Sequence, residues 1–308
     1  MAWPSDRRHM NDARYTPLSD RAVLRVAGEE ASDFLQGLIT NDMADVSETR
    51  AIYAALLTPQ GKYLHDFFIL KIADSYYLDC ERHRREDLIK RLTRYRLRAK
   101  VIIEDADDSF DCFALFGKDA TQIAGLPRDA GSLRPLGKGV AFVDPRRIAL
   151  GVRALLPPED GVSPIERCGF SASAESEYHV MRVSLGVAAG DPEIEPEKSF
   201  PMDYGLDELN GVSFTKGCYV GQEVTVRMKT RDLVRKRLVP VRLEGPALPV
   251  GTILQLDNSV AGELRSVVDT NGLALVRIEA LDKALAAGLT FNADNTQLFP
   301  TTPPADEL

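Results

Sequence analysis

The chain has 308 residues, 44% of them hydrophobic, with 38 Lys and Arg against 46 Asp and Glu and a net charge of −8. That is enough apolar material for a substantial core in two or three compact units, and it excludes intrinsic disorder as the main state. Net acidity argues against an indiscriminate nucleic-acid coat, and the longest apolar run, residues 51–57, is far short of the roughly 20 residues that cross a bilayer, so no membrane partner is expected. Four cysteines, Cys80, Cys112, Cys168 and Cys218, lie far apart and form no local metal-ligand spacing. A zinc ribbon is therefore excluded, and a chain this long needs no disulfide framework. The first residues carry Asp6 and Asp12 and no apolar leader core, which places the expected location in a reducing cytoplasm.

In chain order, residues 22–26 read as a strand, Gly28 as its turn and 29–38 as a helix. Residues 51–57 and 63–72 read as two well-buried strands joined by the turn at 58–62, and 76–80 as a third. Residues 81–100 form the clearest helical pattern, with Leu88, Ile89, Leu92 and Tyr95 on one face. A strand at 101–103 ends in the acidic turn 104–108, a natural boundary. Beyond it the pattern repeats in smaller form, with strands at 112–116, 140–143 and 149–156 around a short helix after Lys118. A helix at 175–185 precedes a loop at 191–198 that holds two prolines and has no apolar period. From about Asp232 the chain turns to short β-rich runs, 234–243, 252–256, 259–268 and 273–278, which suggest a small sandwich or barrel. Residues 301–308 are expected to be a disordered tail. The fold class is α+β.

The stretch richest in chemistry runs from Gly211 to Arg227. Gly217 and Gly221 bracket Cys218 and Tyr219, and Lys216, Gln222, Glu223 and Arg227 crowd polar groups around the turn. Such a loop brings a lysine, a thiol and a carboxylate within reach of one small molecule; glycine-bracketed turns with a buried cysteine are equally common as packing devices. Residues 216–223, Lys-Gly-Cys-Tyr-Val-Gly-Gln-Glu, resemble the signature of the YgfZ-type folate-binding proteins, relatives of the glycine-cleavage T-protein (aminomethyltransferase). The motifs at 34–42, at 58–62 with Asp66, at 97–101 and at 200–203 follow in that family's order, so the resemblance covers nearly the whole chain.

The resemblance implies a ring-like arrangement of three domains around a central hole that holds tetrahydrofolate, and a role in maturing or repairing iron-sulfur enzymes. On that plan residues 15–104 begin the folate-binding α+β domain, 105–170 form a second α+β domain, 171–231 return to the first with the motif loop, and 232–300 form a C-terminal β-barrel. Reduced folate and iron-sulfur proteins or carriers are the implied partners. Asp66 occupies the place of the key T-protein carboxylate, with His65 where the T-proteins typically carry another acid. Asp203 stands one methylene short of the glutamate usual in that motif. The catalytic candidates are Cys218 and Asp66; the folate-binding candidates are Asp66, Asp203, Lys216, Tyr219, Gln222, Glu223 and Arg227. Lys216 and Arg227 fit either the folate glutamate tail or a loop-locking bond to Glu223, and Tyr219 fits either ring stacking or the core. Three functions are compatible: a folate-binding accessory factor for iron-sulfur proteins, a folate-dependent one-carbon transferase, and a docking scaffold for an iron-sulfur carrier in which folate plays no part.

Charge is unevenly spread. Residues 82–100 hold nine basic residues against Glu86 and Asp87, so the net −8 conceals a helix at +7 against a remainder at −15. A solvated helix face, polyglutamylated folate and an acidic partner all suit that segment. With no RNA-recognition motif and no interleaved aromatics, nucleic acid is not the expected partner.

Overall fold

The computed structural model describes residues 13–302. The chain forms two compact units, each assembled from three stretches. One takes the residues up to Ala55, His65–Tyr178 and Leu209–Gly217; the other takes Leu56–Leu64, His179–Glu208 and the chain from Cys218 onward.

The first stretches run β1 (Arg14–Pro17), β2 (Arg21–Ala27), α1 (Ala31–Gln36), β3 (Ile52–Leu57), β4 (Tyr63–Ile72), β5 (Ser75–Glu81), α2 (Arg85–Arg96) and β6 (Ile102–Asp105). Five of these strands form a sheet in the order β3-β4-β5-β2-β6. All of β3 and the first eight residues of β4 are buried, which is why their sequences are continuous apolar runs rather than alternating ones. β1 precedes the first strand expected from the sequence; it pairs with β7 and buries the Tyr15 ring edge-on to Phe113, 6.4 Å between centroids.

The next elements are β7 (Asp111–Phe116), α3 (Ala120–Ile123), β8 (Leu133–Leu136), β9 (Gly139–Val143), β10 (Val152–Leu156), α4 (Ser163–Cys168), β11 (Ser171–Ala172) and α5 (Glu175–Ser184). They complete a six-stranded sheet, β11-β1-β7-β10-β9-β8, packed on Phe113, Leu115, Val143, Leu156 and Ile165.

In the other unit α6 (Gln222–Thr230) precedes β12 (Lys236–Glu244), β13 (Ile253–Leu256), β14 (Ser259–Val268), β15 (Asn271–Arg277), α7 (Ile278–Ala287), β16 (Phe291–Ala293) and β17 (Thr296–Pro300). The six strands close into a barrel, β12-β15-β14-β13-β16-β17, filled by Val241, Leu254, Leu264, Val276, Phe291 and Leu298. Closure leaves no sheet edge. The fold class is therefore α+β with a small C-terminal β-barrel, as expected. Three helices have no counterpart in the sequence reading. α4 is a short one of six residues, α6 begins inside the motif loop, and α7 takes over at Ile278, a residue that reads as the end of a strand. Of the expected tail at 301–308, all but its first two residues lie outside the described residues; the backbone N–H of Thr301 donates to the Pro240 carbonyl.

Candidate functional site

The β3–β4 turn and the motif loop meet backbone to backbone. Gly61 sits at φ +74, and a Cβ there would lie 2.8 Å from the Cβ of Val224; Gly221 sits at φ +85, and a Cβ there would lie 2.6 Å from the Thr58 carbonyl oxygen. Both positions need glycine for conformation and for space. Two motifs that are some 160 residues apart in sequence are thus one packed structure. Gly221 also opens α6, whose first turn carries Gln222 and Glu223. Glu223 and Arg227, both exposed, pair with each other one turn apart. Tyr219 is buried, and burial pushes its hydroxyl up to about 12 against the opposing effect of Thr225.

Cys218 is exposed, whereas Cys80 and Cys112 are buried and Cys168 is half-buried. Burial pushes the Cys80 thiol up to about 12 and that of Cys112 well above its usual value. A thiol sealed in this way is inert; of the other two, Cys218 is the more exposed and so the more open to a reagent or a partner.

On the preceding residues of the loop, Lys216 is buried and its ammonium donates to the carbonyls of Gln36, Ile39 and Asn41 at 2.8, 2.8 and 2.7 Å. Burial pulls its pKa down to about 8, with the Asp42 charge acting the other way. The Thr40 hydroxyl donates to the Gly211 carbonyl at 2.6 Å, and the Asn41 side-chain amide donates to the carbonyls of Tyr53 and Asn210, both at 2.8 Å. The 34–42 motif is therefore the cradle in which the loop's lysine sits. Asp42 caps the short helical turn that follows, accepting from the Ala44 N–H.

Asp66 lies on β4 and is 2% exposed; the Tyr53 hydroxyl donates to its Oδ2 at 2.9 Å. Burial, then the Asp66 charge, pushes the Tyr53 hydroxyl well above its usual range, so it stays protonated and donating. The Arg146 guanidinium lies 5.6 Å from the Tyr53 ring and 4.8 Å from that of Phe68, held by Asp144 at 2.8 Å. Nearby in the same unit, buried Asp79 bridges Arg21 and Arg153, each at 2.7 Å. Burial would raise the Asp79 carboxyl, yet Arg153 and Arg21 hold it below its ordinary value. The sequence reading missed this network; its only signal was single charges inside apolar strands, as in Leu78-Asp79-Cys80 and Val152-Arg153-Ala154. His65, next to Asp66 on the strand and so on its opposite face, places Nε2 2.9 Å from Asp87 on α2, and burial pulls its pKa down to about 4.

Asp203 belongs to the other unit, in the short helical turn Pro201–Tyr204. It is half-buried, and its carboxylate accepts no hydrogen bond among the described residues. Burial pushes it up to about 6, although Lys236, Lys62 and Arg237 oppose the rise. Lys62 stands 3.2 Å from the centre of the Phe200 ring and donates to the Lys198 carbonyl at 2.7 Å. Among the described residues no group of three or more His, Cys, Asp or Glu is placed to hold a metal ion.

The GCVT N-terminal domain family matches residues 10–127, and the CAF17 C-terminal beta-barrel domain family matches residues 235–306. The structure is similar to the glycine cleavage system aminomethyltransferase T from Bartonella henselae, with a TM-score of 0.76 over 97% of this chain and 88% of that one; at 14% identity the likeness shows the fold alone. The protein is thus a T-protein-type fold with a CAF17-type barrel. The iron-sulfur cluster assembly factor IBA57, mitochondrial, of Mus musculus is 34% identical over 285 residues, covering 86% of this chain and 77% of the relative. Its homolog in Neurospora crassa is 33% identical over 244 residues, covering 76% of this chain and 55% of the relative, so the chain spans little more than half of that protein. The chain belongs to the IBA57 family.

One expectation is corrected. These relatives are named mitochondrial, which overturns the cytoplasmic location. Scattered cysteines without a disulfide framework suit any reducing compartment, so they do not separate one from another.

Proposed function

We propose that this chain is an iron-sulfur cluster assembly factor that acts on iron-sulfur proteins or their carriers through Cys218, and that it binds tetrahydrofolate. The observation that carries the first part is the exposure of Cys218 on a loop whose flanking residues are fixed: the Lys216 ammonium is tied to backbone carbonyls, and Gly221 packs on Thr58. A thiol presented this way meets a client's sulfur or iron without unfolding anything. The names of the relatives, iron-sulfur cluster assembly factors, support the same reading.

Asp203 carries the folate part. A half-buried carboxylate with no hydrogen-bond donor of its own among the described residues, beside Lys62 and Lys236, suits the paired N–H groups of a pterin. Asp66, 2% exposed and hydrogen-bonded by Tyr53 inside its own unit, offers a ligand no open carboxylate. A bound reduced folate supplies a one-carbon acceptor. The chain's own contribution is to present the Asp203 carboxylate and to keep Cys218 accessible. A one-carbon transferase is the second reading, supported by the fold; His65, buried and neutral beside Asp66, supplies no second acid to it.

Calorimetry with tetrahydrofolate tests the ligand. Saturable binding by the wild type, weakened roughly tenfold or more in Asp203→Ala, is the expected result. Absence of saturable binding removes folate from the account. Deleting the gene in its own host tests the role: iron-sulfur enzymes should lose activity while their protein levels hold, and normal activity in the deletion strain would refute it.

A further inference from the structure

Leu97 ends α2 in a conformation that leucine avoids, φ 45 and ψ −107, and it is 87% exposed. The turn that holds it is fixed. The Ala99 N–H donates to the Arg96 carbonyl and the Val101 N–H to the Ala99 carbonyl, both at 2.8 Å. The Lys100 N–H donates to Glu30 at 2.6 Å, and its ammonium pairs with Glu29 at 2.7 Å. Gly28 approaches so closely that a Cβ there would lie 2.2 Å from the Lys100 carbonyl oxygen. A strained, exposed leucine on a clamped turn is held outward by the fold. Beside it lies an open cleft of about 470 Å³, lined by Gly28, Glu29 and residues 96–102, and Ile102 on that lining is 51% exposed.

The charges around Leu97 differ from those elsewhere on the helix. Arg82 and Arg85 pair with Asp107, Arg84 and Arg91 with Asp87, Lys90 with Glu86 and Lys100 with Glu29. Arg94, Arg96 and Arg98 are exposed and make no ion pair among the described residues. Three uncompensated guanidiniums therefore stand around one apolar side chain on a protein of net charge −8.

We propose that this turn is a docking surface for an acidic segment of a partner protein, with Leu97 as the apolar anchor and Arg94, Arg96 and Arg98 as carboxylate-binding groups. Arginine grips carboxylates through paired N–H donors and is enriched at the centres of protein interfaces. A protein segment fits better than a nucleic acid or an anionic membrane. Those extended polyanions face the whole acidic molecule, whereas a short segment meets only the patch, and at physiological salt the remaining charge is screened beyond about 8 Å. The surface is independent of the chemistry assigned to Cys218.

The test uses the full chain and a fluorescein-labelled synthetic peptide, rich in Glu and Asp around a central pair of leucines, read by anisotropy. Saturable binding is expected, falling with salt, weakened roughly tenfold in R96E/R98E and several-fold in Leu97→Ala. Leu97→Gly should lose the same binding while melting no lower than wild type, because glycine accepts the backbone conformation. Absence of saturable binding, equal binding by the variants, or tighter binding of a single-stranded RNA oligonucleotide or of phosphatidylglycerol vesicles would overturn the proposal. So would a self-association that R96E/R98E dissolves, since the occupant would then be a second copy of this chain.

Discussion

Lys216 belongs to a motif that reads as a ligand-binding loop, yet its ammonium holds three backbone carbonyls of the 34–42 segment. Those are charge-assisted bonds in a buried setting, and losing them leaves carbonyls without donors. Lys216→Met is therefore expected to cost about 3 kcal/mol in chemical denaturation, and to lower function by loosening the loop; unchanged stability would show that the cradle contributes nothing. Asp203 gives the opposite sign. Its carboxyl titrates at about 6 against an ordinary 3.8 because burial disfavours the charge. Below pH 4 the group is neutral in both the folded and unfolded states. Between pH 4 and 6 the folded state binds the proton more tightly, so this group's contribution to stability falls as pH rises through that window. Asp203→Asn, a neutral mimic, should be more stable than wild type at pH 7 and lose that advantage as pH falls towards 4, measured by thermal melts across pH. His65 acts in reverse: its pKa of about 4 against 6.5 gives stability that is complete above pH 6.5 and is lost as pH falls towards 4. Asp66 and Asp203 were legible as candidates because each sits in a recognisable motif. The Tyr53 hydroxyl that orients Asp66 was not, because a contact across a hairpin leaves no local pattern in either strand.

Strands in continuous apolar runs, such as β3 and β4, were readable because burial on both faces dictates their composition. Helix ends were less so. The helix expected over 81–100 is regular only over Arg85–Arg96, and it stops at Leu97 without a glycine or proline to mark the stop. α6 lies in a stretch read as a loop, and Val224, Thr225 and Val226 are β-branched residues that give no helical signal; its start is fixed by tertiary packing of Gly221 on the hairpin turn. That packing makes a sharp prediction. Gly221→Ala requires a left-handed alanine with its Cβ 2.6 Å from the Thr58 oxygen, costing about 1–3 kcal/mol in strain alone and shifting the loop. Gly217→Ala meets nothing within 4 Å and should leave both the melting temperature and function near wild type. Equal effects of the two would refute the close-packing account of the loop.

For the whole molecule, composition indicated a well-cored chain, the pattern of its elements an α+β one, and the family resemblance carried by its motifs implied the T-protein-type fold with its C-terminal barrel, which the structure has. Net charge averages over unlike surfaces. The −8 average hides a basic helix, and within that helix most charges are matched by acids next to it, in space as well as in sequence. The cysteine count was uninformative until burial separated the four: Cys80 and Cys112 are sealed, and Cys218 is presented. The central claim is that this presented thiol does the work in iron-sulfur assembly. The most direct test places wild type and Cys218→Ala in a strain lacking the gene and measures the activity of its iron-sulfur enzymes, with the melting temperature of each purified protein alongside. The account predicts that wild type restores activity and that Cys218→Ala, equally stable, does not. Full restoration by Cys218→Ala would contradict it.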